Sequence, residues 1–152
     1  MPGRESETPI LAERAMWWSA EGPWDGGHVS TGAARPATRW GLAGLTLGGA
    51  QEAEAYVLIA NPNAADAEAT LTLITPNGAV DPVTVPLGPW SRTTLRLADL
   101  FPDAGDQSAA VLVESTGAEE PVPLVVEGAA YASPDGQPLT TGSATPALPL
   151  PE

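Results

Sequence analysis

Few residues in this chain could do chemistry. There is one histidine, His28, and there is no cysteine and no lysine. A serine triad built on His28 would need a nucleophile on a strained Gly-x-Ser-x-Gly turn, and that motif does not occur. Zinc needs several His, Cys or carboxylate ligands at set spacing, and one histidine cannot supply a pair. Beside Gly26 and Gly27, His28 is expected to hydrogen-bond a neighbouring strand or module. Asp99, Asp103 and Asp106 form an acidic stretch that could collect calcium, but its spacing lacks the glycine turn of an EF-hand. A solvated loop is the expectation there, and calcium is left open. Gly41-Leu42-Ala43-Gly44 and Gly48-Gly49 have no lysine to complete a phosphate loop. No catalytic residue, cofactor or metal is assigned, and the expectation is a protein that is not an enzyme.

The aromatic residues are the remaining candidates for contact with a ligand or a neighbouring module. Five Trp stand against one Phe. Trp17 and Trp18 are adjacent, so on a strand they face opposite sides. One should be buried, while the other, with Trp24, packs the connecting segment against the module. Trp40 would plug one end of the core, and Trp90 sits in a turn. Tyr131 occupies the position of Trp17 in an internal repeat. Packing is the first expectation for these residues, and a stacking platform for cell-surface glycan is the alternative.

These side chains must be positioned by strands. With 16 Gly and 17 Pro among 152 residues, a helical bundle is excluded by the density of helix breakers. From Ala53 onward apolar residues alternate: Ala69, Leu71 and Leu73 against Thr70 and Thr72, and Leu95 and Leu97 against Thr94 and Arg96. Period two marks strands with one buried face. Strands are expected at 39–47, 54–60, 68–75, 80–87, 91–97, 109–115 and 122–132, with a helical turn over 97–102. Pro82 and Pro86 place the fourth of these at a sheet edge, and Asn77-Gly78 marks a hairpin. Seven short strands point to an all-β, immunoglobulin-like β-sandwich.

The two ends of the chain repeat each other. Pro9-Ile10-Leu11-Ala12-Glu13-Arg14-Ala15-Met16-Trp17-Trp18-Ser19 aligns with Pro123-Leu124-Val125-Val126-Glu127-Gly128-Ala129-Ala130-Tyr131-Ala132-Ser133, and Thr31–Ala37 aligns with Thr141–Ala147. Glu13 and Glu127 therefore share one repeat position and cannot be the acid and base of a single glycosidase site. Residues 8–18 read either as the last strand of a preceding module or as an extra strand of this one. The expected division is an N-terminal strand and linker over 1–38, a sandwich over 39–133 and a Pro-rich tail over 134–152.

Ile10–Trp18, Gly26-Gly27-His28-Val29-Ser30-Thr31-Gly32, Trp40, the turn Leu58-Ile59-Ala60-Asn61-Pro62-Asn63 and Ser91-Arg92 together carry a resemblance. They resemble an uncharacterised family of repeated immunoglobulin-like modules in large secreted or surface proteins of high-GC, actinobacterial-type bacteria. The resemblance spans roughly residues 8–132; the second copy lacks the Arg, the Met and the Gly-Gly-His segment. It implies export, a surface location and a structural or adhesive role, and it implies no catalytic residue.

With 19 acidic and 6 basic residues and a net charge of −13, nucleic acid and anionic lipid are poor partners. No apolar run approaches the ~20 residues that span a bilayer, so membrane insertion is not expected, and the first residues lack the apolar core of a signal peptide. The expected partners are neighbouring modules or copies of the chain itself. Joining head to tail by addition of residues 8–18 to another copy's sheet edge is one such mode.

Overall fold

Alternation of apolar and polar residues builds almost every element of the computed structural model, which describes residues 11–18, 26–116, 120–133 and 141–151. In chain order the strands are β1 (Glu13–Trp18), β2 (Gly26–Thr31), β3 (Arg39–Leu47), β4 (Glu54–Asn61), β5 (Ala67–Thr75), β6 (Gly78–Ala79), β7 (Val83–Leu87) and β8 (Ser91–Arg96). A one-turn helix α1 (Leu97–Leu100) precedes β9 (Gln107–Thr116), β10 (Val125–Ala132), β11 (Thr141–Pro146) and β12 (Leu148–Pro149). One sheet runs β11-β10-β4-β8, and the other runs β12-β3-β9-β5-β6 with β7 also on β5; all pairings are antiparallel.

The protein is an all-β sandwich. Ala67, Ala69, Leu71 and Leu73 of β5 and Ala109, Val111 and Val113 of β9 face Val57 and Ile59 of β4 and Val126 of β10 across one dry layer. Each fully buried Leu, Ile or Val contributes about 1.5–3 kcal/mol. Gly128 of β10 faces this layer because a Cβ there would stand 2.9 Å from Leu42. The central pairs β4–β8 and β5–β9 follow the immunoglobulin arrangement, while the outer strands cross over, β3 pairing with β9 and β10 with β4. Pro86 of β7 lies on an edge, as its missing N–H requires, and Pro82 stands just before the strand.

Two segments differ from their expected roles. Residues 134–152 were expected as a tail, yet β11 adds to β10 and β12 adds to β3, with Ala147 buried between them. Proline composition misleads here because Pro146 and Pro149 fall on edge strands, where a missing donor costs no ladder bond. Residues 26–31 were expected as linker, yet they form β2 and pair with β1 from Glu13↔Thr31 to Trp18↔Gly26. Gly117 with Glu119-Glu120-Pro121, and Pro134-Asp135-Gly136, read as turns from their residue types, and these stretches lie partly or wholly outside the described residues.

Asn61 explains the Asn-Pro turn. It is 1% exposed, and its amide donates to the carbonyls of Ala65 (2.8 Å), Leu87 (3.3 Å) and Gly88 (3.0 Å). Its Oδ1 accepts from the Asn63 backbone N–H at 3.1 Å and from the Asn63 side chain at 2.9 Å. One buried amide thus ties the β4–β5 turn to the β7–β8 turn. N61D keeps the size and removes every donor, so it should lower unfolding stability by at least about 2 kcal/mol. Urea denaturation measures this; a midpoint equal to that of the unchanged chain would refute the assignment.

Candidate functional site

The hairpin formed by β1 and β2 is amphipathic in the strict period-two sense. Arg14, Met16 and Trp18 with Gly26, His28 and Ser30 turn toward the sandwich and are half-buried or buried, while Glu13, Ala15, Trp17, Gly27, Val29 and Thr31 face out. The Gly32 N–H closes the open end on the Ala12 carbonyl at 2.9 Å. The inner face lies on the outer surface of β10 and β11, where Glu127, Ala129, Tyr131, Gly142, Ala144 and Pro146 share one side through their register.

Two kinds of contact hold it. Glu127 accepts from Arg14 Nη1 at 2.9 Å and from Ser30 Oγ at 2.8 Å, so one carboxylate clasps both strands of the hairpin. As a partly exposed ion pair this is worth up to about 1 kcal/mol. The second contact is aromatic. Trp18 stands edge-on to Tyr131 at 6.0 Å and 5.7 Å from His28, which is 6.3 Å from Tyr131; Tyr56 continues the cluster at 5.9 Å from Tyr131. Glycine makes room for the indole: a Cβ on Gly142 would lie 2.7 Å from both the Trp18 and Tyr131 rings, and one on Gly26 would lie 2.6 Å from Trp18.

His28 makes no hydrogen bond to a neighbouring strand among the described residues. Among the described residues neither ring nitrogen has a partner, and neither does Trp18 Nε1. His28 packs against rings, with centroids 5.7 Å from Trp18 and 6.3 Å from Tyr131. Tyr131 and Trp18 join it. Trp17 faces outward and is 61% exposed. Trp40 is buried as expected, its Nε1 donating to the carbonyls of Ala37 and Leu124, each at 3.0 Å. Trp90 lies in the turn before β8, 72% exposed at a φ of 52°. Trp24 lies outside the described residues.

Tyr56, Arg14, Met16, Ser30 and Gly142 also belong to this contact and were not among the expected contact residues. Their alternation with outward residues was legible, but the surfaces they meet are made by strands far away in the sequence, as with Arg14 and Glu127, 113 positions apart. At the start of β4, Tyr56 donates to Glu54 at 2.6 Å, and Arg96 reaches Glu54 at 2.7 Å and Asp99 at 3.3 Å. The hydrogen bond to Glu54, followed by burial, pushes the Tyr56 phenol above its ordinary value of 10.0. Asp99 is thus engaged by Arg96, and among the described residues no three His, Cys, Asp or Glu side chains gather as a metal site. No described helix is long and apolar enough to cross a membrane.

No family model and no curated protein matches the sequence. Among solved structures, the chain is similar to "Crystal Structure of Thermotoga maritima 1070", with a TM-score of 0.61 and 19% identity over 76% of this chain and 97% of that one. It also aligns with the Anabaena sensory rhodopsin transducer, with a TM-score of 0.49 and 22% identity over 62% of this chain and 96% of that one. The first likeness is one of fold.

G142A places a methyl where the Trp18 ring sits. Amide hydrogens of β2 should then exchange about tenfold faster, equivalent to ~1.4 kcal/mol, while β5 and β9 keep their protection; equal exchange in β2 would disprove the nest.

Tyr56 supplies a pH test. Its raised value means that the neutral phenol is favoured in the fold. The stabilisation is therefore full below the ordinary tyrosine value and fades as pH rises through the raised one. In a Y131F background, phenolate absorbance should titrate above 10.0, and E54Q should bring it down; no change with E54Q would contradict the cause given.

Proposed function

We propose that this chain is a non-catalytic structural module of an exported or cell-surface protein, a spacer or adhesion unit that joins neighbouring modules or copies of itself head to tail. The observation that carries this reading is the repetition of its ends. The β1–β2 hairpin carries Glu13, Ala15 and Trp17 where the β10–β11 hairpin carries Glu127, Ala129 and Tyr131, Gly27 pairs with Trp17 as Gly142 pairs with Tyr131, and the first hairpin packs on the second. Chains whose ends repeat and interlock are organised for joining. The resemblance to repeated surface modules agrees with this, and so does a net charge of −13 that disfavours nucleic acid and anionic membranes. Addition of β1 to another copy's sheet would use its edge away from β2.

A second reading, a carbohydrate-binding module, rests on the exposed indoles of Trp17 and Trp90. They belong to opposite ends of the four-stranded sheet. Trp18, the neighbour of Trp17, packs on Tyr131 opposite Glu54, whereas the Trp90 N–H bonds to Asn63 beyond Asn61. The length of β4, about 23 Å at the strand rise, separates them, so they form no common platform.

A glycan array combined with light scattering over a concentration series tests both readings. The structural reading expects no glycan retention and a mass that grows with concentration. Retention lost in W17A would install the carbohydrate reading instead, and a constant single-chain mass would remove self-joining.

A further inference from the structure

We infer that the β1–β2 hairpin is an exchangeable clasp, able to leave its own β10–β11 face and dock on that of a second copy, so that each chain donates at its N-terminus and receives at its C-terminus. This rests on the structural-module reading and gives it a partner and a mode, namely face docking of a whole hairpin.

Three observations carry it. First, the hairpin is a two-stranded sheet of its own: among the described residues no backbone ladder joins it to β11 or β10. Among the described residues, the contacts at Glu127 and Tyr131 that undocking breaks are made by side chains, and every strand of the sandwich stays paired. Second, the connector is short, with Ala33 its contact to the core. The hairpin ends at Gly32, and the chain is anchored again where Ala37 exchanges backbone hydrogen bonds with Leu124 at 2.9 and 2.8 Å. Between them, Ala33-Ala34-Arg35-Pro36 arches over a cleft of about 510 Å³ bounded below by Trp40, Pro146, Ala147 and Pro149. Five Cα–Cα steps reach at most about 18 Å, enough to carry the hairpin off its face. A short proline-bearing hinge of this kind favours exchange between copies.

Third, the receptor recognises the hairpin by chemistry that does not depend on which chain supplies it. A carboxylate, Glu127, takes one cation and one hydroxyl, from Arg14 and Ser30, and a glycine-floored nest between Gly142 and Tyr131 takes one indole, that of Trp18. In a chain of net charge −13 with only six cations, placing one of them on this carboxylate makes the contact selective against the remaining acidic surface. A short tether holds the chain's own hairpin at an effective concentration in the millimolar range. Copies therefore exchange when they are crowded or when docking within one chain is blocked.

Charge reversal in the full-length chain separates the two modes. R14E alone opposes two carboxylates at the clasp, and E127R alone opposes two cations, so each variant should undock its hairpin and run at the mass of one chain. Both positions lie outside the dry layer, and far-ultraviolet circular dichroism should show the same sheet content in each. Mixed in equal amounts, the R14E hairpin meets the E127R receptor while the E127R hairpin meets an unaltered Glu127. The mixture should double in mass by analytical ultracentrifugation. The double variant R14E/E127R, which restores a pair within one chain, should stay at single-chain mass at the same concentration. A mixture that remains at single-chain mass overturns the inference and leaves the spacer reading to be judged by the glycan array.

Discussion

Everything in this molecule depends on one dry layer shared by two pleated sheets. A strand can contribute to such a layer only with every second residue, so alternation is a physical requirement of the core. The ends of the layer must also be shut. Trp40 closes one end with its indole N–H satisfied by two carbonyls, and Leu97 and Phe101 pack into it from α1 and the turn that follows. Asn61 pins the turns at the far end of β4 from within, and it is buried because all its polar atoms have partners.

The second constraint is the management of edges. Unpaired strand edges invite other chains, and this protein treats its edges differently. Pro86 on β7 and Pro149 on β12 deny donors at the edges of the larger sheet. At one edge of the smaller sheet β8 carries Arg92 and Arg96. At the other, β11 ends in Pro146 and lies beneath the N-terminal hairpin. The hairpin thus works as a cover attached by a clasp, and its own outer face repeats the character of the face it covers, leaving Leu11, Trp17 and Val29 exposed.

The cover is held by weak, specific contacts: one partly exposed carboxylate, one indole and a pair of glycines that admit it. Interactions of this strength position an element without making it irremovable. Among the described residues, the ladders of the sandwich include no strand of the hairpin. The sandwich is held by burial and ladders, and the hairpin is held on it by side-chain docking.

Alternation and turn chemistry made the sandwich legible in the sequence. The strands expected at 39–47, 54–60, 68–75, 91–97 and 109–115, and the turn of helix after β8, all appear within one or two residues of their expected limits, because each obeys a local rule. What lay beyond that reading depends on distant partners. β11 and β12 were hidden because their prolines become harmless only on an edge, and an edge exists only once β10 and β3 are in place. His28 and Trp18 were visible as candidates, but Glu127 as the clasp and Gly142 as the floor of the nest acquire meaning only where strands more than 90 residues apart are laid face to face. Local periodicity thus determined which residues point together along a strand, and the tertiary structure decided which face meets which, since that choice depends on the complementarity of surfaces that no short stretch of chain contains.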